Sequence, residues 1–106
     1  MKLLTRAEEL ILLAIWKLKE DAYCVPILDE IEKVSNKKWT LGGIYVPLHR
    51  LEKDGYVTSY LGEPTNERGG KSKRYYNVTP KGVKALQEIK KLQDASWQGV
   101  SDLIFE

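Results

Sequence analysis

The chain has 106 residues, 17 Lys and Arg against 15 Asp and Glu, one His, one Cys and 42% hydrophobic residues. That length is one domain, able to bury roughly 60–65% of the surface its unfolded form exposes, and it leaves no room for a second catalytic domain. A net charge of +2 is too near balance to attract a polyanion non-specifically, so where the basic residues fall matters more than their sum. Cys24 alone forbids an internal disulfide, and Cys24 with His49 falls short of a structural zinc ligand set, so neither cofactor nor metal is expected. The opening Met1-Lys2-Leu3-Leu4-Thr5-Arg6 breaks to charge before a signal-peptide core could form, and no apolar run approaches the ~20 residues of a membrane span. The expected location is cytoplasmic.

Thr5 and Glu8 form a capping box ahead of Leu10, Ile11, Leu13, Ala14, Ile15, Trp16 and Leu18, which predicts a first helix over about 5–19. Leu12 and Leu13 widen its apolar stripe. Either the helix is well buried, or part of that face meets a partner chain. A second helix follows, with Pro26 at its first position and Ile27, Leu28, Ile31 and Val34 at helical spacing, and it ends in the polar turn Ser35-Asn36-Lys37-Lys38. Trp39 reads as a core anchor. Thr40 caps a third helix in which Ile44, Tyr45, Leu48 and Leu51 recur until Asp54-Gly55.

The period then changes. Residues 56–61 and 74–79 are rich in β-branched and aromatic side chains and flank a long polar loop, predicting a hairpin with an extended tip. Thr79-Pro80 opens a last helix through Val83, Leu86, Ile89, Leu92, Trp97, Val100, Leu103 and Ile104 to the end of the chain. It would be roughly 35–40 Å long at ~1.5 Å per residue. An apolar stripe that outruns its own domain calls for a partner.

Helix, helix, helix, hairpin is the winged helix-turn-helix order, in which the third helix enters the DNA major groove and the hairpin tip follows the backbone. The fold class is therefore α+β, mainly α, with residues 1–79 as a winged-helix domain and 80–106 as a dimerisation helix. Lys37 and Lys38 precede the third helix, His49, Arg50 and Lys53 lie along it, and Arg68, Lys71, Lys73 and Arg74 cluster in the wing. Lys33 and Lys53 read as solvating charges. The wing cluster surrounds Gly69-Gly70, whose backbone can approach phosphate closely.

Leu41-Gly42-Gly43-Ile44-Tyr45-Val46-Pro47-Leu48-His49-Arg50-Leu51-Glu52-Lys53-Asp54-Gly55, the Gly69-Gly70 wing, Tyr75-Tyr76, and Thr79-Pro80-Lys81-Gly82 together resemble the PadR family of bacterial transcriptional regulators. The resemblance covers about residues 39–83. It implies a homodimer joined by the last and first helices, binding a palindromic double-stranded DNA operator as a repressor that a small molecule releases. It places Gly42, Gly43 and Tyr45, with Arg68, Gly69, Gly70, Lys71, Lys73 and Arg74, on the DNA side, where Lys38, Thr40 and His49 are expected to join them from their positions before and along the third helix. The dimer interface would take Leu12, Ile15, Trp16, Leu86, Ile89, Trp97, Val100 and Ile104. Trp16 and Trp97 are also candidates to stack a small hydrophobic or aromatic effector, although plain interface packing is the simpler reading of each indole.

Three local questions stay open in the sequence. Tyr45 suits either the DNA face or a half-buried place beside Leu48 and Leu51. Pro47 requires either that the third helix begins near Gly43 or that it is kinked. Cys24 reads as a small buried residue or as a thiol sensor. No enzyme is expected, since His49 has no acid or nucleophile at a motif spacing. A winged-helix module that binds proteins without DNA is the competing class, and it has no need of a basic Gly-Gly wing.

Overall fold

The computed structural model describes residues 3–63, 72–100 and 103. Helix α1 spans Arg6–Leu18 and passes through a short 3-10 turn, Lys19–Asp21, into α2, Cys24–Ser35, and α3, Leu41–Lys53. Strands β1, Val57–Leu61, and β2, Arg74–Val78, form one antiparallel hairpin, and α4, Pro80–Ser96, follows it. This mainly helical order with a two-stranded wing is the expected winged-helix fold.

The predicted capping box is present: the Glu8 amide donates to Thr5 Oγ1 at 3.1 Å and the Thr5 amide to the Glu8 carboxylate at 2.8 Å. Helix α2 starts earlier than its proline suggests, with Tyr23 as its N-cap. Pro26 thus falls within the first turn, where amides have no helical partner to lose. Asn36 ends α2 in the left-handed conformation, at φ 53°. Trp39 then ties the turn down, its backbone amide donating to Glu32 and its indole to Ser35 Oγ, while the ring packs partly buried against the core.

Ile11, Leu12 and Ile15 of α1, Ile27 and Ile31 of α2, and Ile44, Leu48 and Leu51 of α3 converge on Val57 and Tyr76 of the hairpin. Helix α1 lies at the centre, against α2, α3, β2 and α4. That position corrects the expected interface. Leu12 is 0% and Ile15 2% exposed, so both belong to the protomer's own core and offer nothing to a partner. The broad stripe of α1 exists because several elements of its own chain cover it.

The hairpin pairs Val57 with Val78 and Leu61 with Arg74. Its other edge also receives support, since the Tyr76 amide donates to the Ala22 carbonyl at 2.9 Å. Helix α4 is lashed to the turn before β1. The Thr79 hydroxyl donates to the Gly55 carbonyl, the Thr79 amide to the Tyr56 carbonyl, and Lys81 Nζ to the Asp54 carbonyl. Gly82 permits this approach, because a Cβ there would lie 2.3 Å from the Tyr56 carbonyl oxygen and 2.7 Å from Val78 Cγ1.

Helix α4 ends at Ser96, with Trp97 as its C-cap and Gly99 at φ 82°. Its 17 residues make a rod of about 26 Å at ~1.5 Å per residue, shorter than the spacing of apolar residues suggested. Val100 and Leu103 therefore lie beyond the helix, and Ile104 lies outside the described residues.

Candidate nucleic-acid interface

Thr40 caps α3 by accepting the Gly43 amide at 2.9 Å. From there the helix divides cleanly, with Ile44, Pro47, Leu48 and Leu51 buried and Gly42, Tyr45, Val46, His49 and Lys53 exposed. The exposed residues recur at three and four, so they form one stripe along the helix. Tyr45 is 59% exposed and stands on that stripe, which decides against its half-buried reading. Among the described residues a Cβ on Gly42 would meet only Thr40 Oγ1, at 3.9 Å, so none of them requires glycine there. Pro47 is interior, since the helix begins at Leu41 and continues through it to Lys53. It therefore denies the Gly43 carbonyl its usual helical donor, on the buried side of α3 rather than the exposed one.

Two polar links hold α3 at its flanks. On one, Arg50 Nε reaches the Glu8 carboxylate of α1 at 3.4 Å. Burial pushes the Glu8 pKa up, but the amide and hydroxyl of Thr5 and the Arg50 guanidinium outweigh it and hold the carboxyl below its ordinary value. On the other, the Ser59 hydroxyl of β1 donates to Glu52, and Arg74 Nη1 of β2 donates to Ser59 Oγ at 2.9 Å. Arg74 is thereby wired to α3 through two side chains.

Around the base of the wing, Tyr60 stacks on Tyr75, Tyr75 meets Tyr23 edge-on, and Lys73 Nζ lies 4.4 Å from the Tyr23 ring centre. Beside them a cleft of about 460 Å³ opens between the starts of α2 and α3 and strand β2. It brings together Gly42, Tyr45, Lys73 and Arg74, all expected on the DNA side, with Tyr23 and Tyr76, which spacing did not single out. The Tyr76 pKa is pushed up to about 12, chiefly by burial, so its hydroxyl stays protonated. Burial likewise raises the Cys24 thiol, which keeps it in the less nucleophilic form.

Lys38 is exposed just ahead of α3, and His49 is exposed along it, but neither borders the cleft. Arg68, Gly69, Gly70 and Lys71 fall outside the described residues. Trp16 and Trp97, each 48% exposed, border separate grooves, the first apolar and the second mixed, with Arg6, Glu9 and Gln93 along it. The Trp16 groove, about 420 Å³, runs between α1 and α4 with Leu13, Val83 and Leu86, and the Trp97 groove includes Ile89 and Leu92. Lys19 Nζ sits 3.8 Å over the Trp16 ring. Among the described residues no acidic, histidine or cysteine cluster could hold a metal, and no helix is long and apolar enough to cross a membrane.

A capped third helix with an exposed stripe beside a two-stranded hairpin defines a winged-helix fold, the fold of many transcriptional regulators. The chain belongs to the PadR-like family of transcriptional regulators, whose family model matches residues 11–88. A PadR-like transcriptional regulator from Bacillus cereus is similar at 28% identity and a TM-score of 0.67, over 90% of this chain and 84% of that one. A PadR-like transcription factor from Bacteroides fragilis is similar at 27% identity, TM-score 0.67, over 90% and 82%. A transcriptional regulator from Clostridium thermocellum shares the fold at 23% identity, with a TM-score of 0.73 over 93% and 90%. No curated protein sequence matches the chain. Family membership carries DNA-binding regulation of transcription as the general function.

Proposed function

We propose that the chain is a cytoplasmic, dimeric transcriptional repressor that binds a palindromic operator through α3 and its basic wing and is released by a small hydrophobic or aromatic effector. The observation that carries this reading is the exposed stripe of α3 that holds Gly42, Tyr45 and His49, of which Gly42 and Tyr45 share a cleft with Lys73 and Arg74 of the wing. Gly42 and Gly43 bring the backbone to the groove, Tyr45 and His49 offer polar edges to bases, and Lys38, Lys73 and Arg74 take phosphates. Arg68, Gly69, Gly70 and Lys71 extend the phosphate contacts along the wing.

Residues 1–79 form the DNA-binding part and 80–106 the dimerising part. The exposed Trp16, Leu92 and Trp97 and the part-buried Leu86 and Ile89 supply the apolar face for a second copy, joined by Val100 and Ile104. The effector binds against Trp16 or Trp97 in the grooves that the second copy closes.

Fluorescence anisotropy of labelled DNA from upstream of the chain's own gene, against a scrambled duplex at two salt concentrations, tests this. Preference for the upstream duplex, two chains per duplex and a steep salt slope are expected. Replacing Lys71, Lys73 and Arg74 with Ala flattens that slope by up to about three phosphates. Equal, feeble binding to both duplexes overturns the reading.

A further inference from the structure

The cleft between the starts of α2 and α3 and strand β2 has walls that a DNA backbone does not need. Phosphates and sugars call for exposed cations and amides, whereas this cleft is walled by Tyr23, Tyr45 and Tyr76 with Val25 and Leu41. At about 460 Å³ it falls within the roughly 300–1,000 Å³ typical of small-molecule sites. Every wall comes from one chain, so it exists without a second copy. It is also distinct from the grooves that hold Trp16 and Trp97.

Its charge is one-sided. Among the described residues, Lys73 and Arg74 are the charged ones that line it. Lys73 is held at the aromatic wall by its position over Tyr23, and Arg74 spends one of its guanidinium nitrogens on Ser59, with the others left to meet a ligand. We propose that this cleft binds a flat aromatic anion, a fused-ring sulfonate or carboxylate, with its rings against the exposed Tyr45, Val25 and Leu41 and its acid group on Lys73 and Arg74. Charge-assisted bonds from a guanidinium and an ammonium select the anion, and the Tyr45 ring with its apolar neighbours selects a planar body. Because Gly42, Tyr45, Lys73 and Arg74 border the same cleft, an occupant competes directly with DNA for them. That competition rests on the proposed DNA role of α3, while the ligand site itself does not.

The probe is anilinonaphthalene sulfonate, added to the full chain while backbone amide and indole N–H signals are followed by NMR. Saturable shifts at the Gly42, Cys24 and Val25 amides are expected, whatever the Trp16 and Trp97 indole signals report of their own grooves. Val25, 45% exposed at the start of α2, tolerates a charged replacement, and Val25→Glu should weaken dye binding roughly tenfold by opposing the anion. Lys33→Ala, an exposed position of α2 outside the cleft, should leave it unchanged. Should Val25→Glu fail to fold, the shift map of the parent chain decides alone. Shifts at the indoles without shifts at Gly42, or undiminished binding by a folded Val25→Glu, overturn the proposal. Addition of the upstream duplex separates the two readings. Cleft amides that respond to the dye while no duplex displaces it sink the DNA role of this face and leave the ligand site standing. A duplex that binds while those amides ignore the dye does the reverse.

Discussion

Gly42→Ala separates a functional glycine from a structural one, because the two readings predict opposite pairs of outcomes. Glycine is unfavourable in a helix by up to about 1 kcal/mol relative to alanine, and less in the first turn. At Gly42 the new methyl meets nothing nearer among the described residues than Thr40 Oγ1, 3.9 Å away, on an exposed surface. The folded chain therefore gains about 0.5 kcal/mol, and Tm rises by roughly 2–4 °C for a domain of this size. The same methyl points to where the DNA groove should lie. It holds the start of α3 away from the bases, and affinity for the operator falls about tenfold, or ~1.4 kcal/mol. Thermal unfolding followed by circular dichroism at one fixed chain concentration reads the first quantity, and anisotropy titration with the upstream duplex reads the second. Higher Tm with undiminished affinity would refute the idea that Gly42 is glycine to admit DNA.

Two further substitutions probe what holds the site in place. Gly82→Ala should improve helix propensity yet lower stability by about 1–3 kcal/mol in urea titrations, because the added Cβ would lie 2.3 Å from the Tyr56 carbonyl oxygen; a gain in stability would mean that α4 does not press against the start of the hairpin. Glu8→Gln should cost about 1–2 kcal/mol at neutral pH, most of it from the cap and little from the half-exposed Arg50. The Glu8 pKa is lowered on folding, so its contribution is present above the ordinary carboxylate value of 4.5 and is lost as pH falls through the lower folded value. The parent and Glu8→Gln chains should therefore converge in stability in acid, and parallel pH profiles would contradict this.

Local signals carried most of the fold. Thr5 with Glu8, Thr40 and Thr79 each cap the helix they were read to open, and the change of period at Tyr56 marks the hairpin. The misses share one cause, which is that periodicity reports an apolar face without reporting what covers it. Leu12 and Ile15 fit a partner-facing stripe as well as a core stripe, and only the placement of α1 at the centre of the fold decides between them. Val100 and Leu103 continue the helical spacing of Trp97 past the point where Gly99 turns the backbone to φ 82°. At the site, Gly42 and Tyr45 were legible because they lie within one short helix. The aromatic cleft was not, because Tyr23, Leu41 and Tyr76 are brought together by the packing of three elements far apart in the chain.

The two polar links on α3 have a consequence for the cost of recognition. Arg50 fixes one flank of the helix to α1 through a carboxylate that is itself part of a cap, and Glu52 fixes the other to both strands of the wing. A helix held so has little freedom to roll or slide, so it surrenders little configurational entropy when a ligand arrives. Shifts at the wing base reach α3 as movements of a common rigid body. With Ile44, Leu48 and Leu51 also buried in the core, binding at this face should spend little free energy on ordering α3 itself.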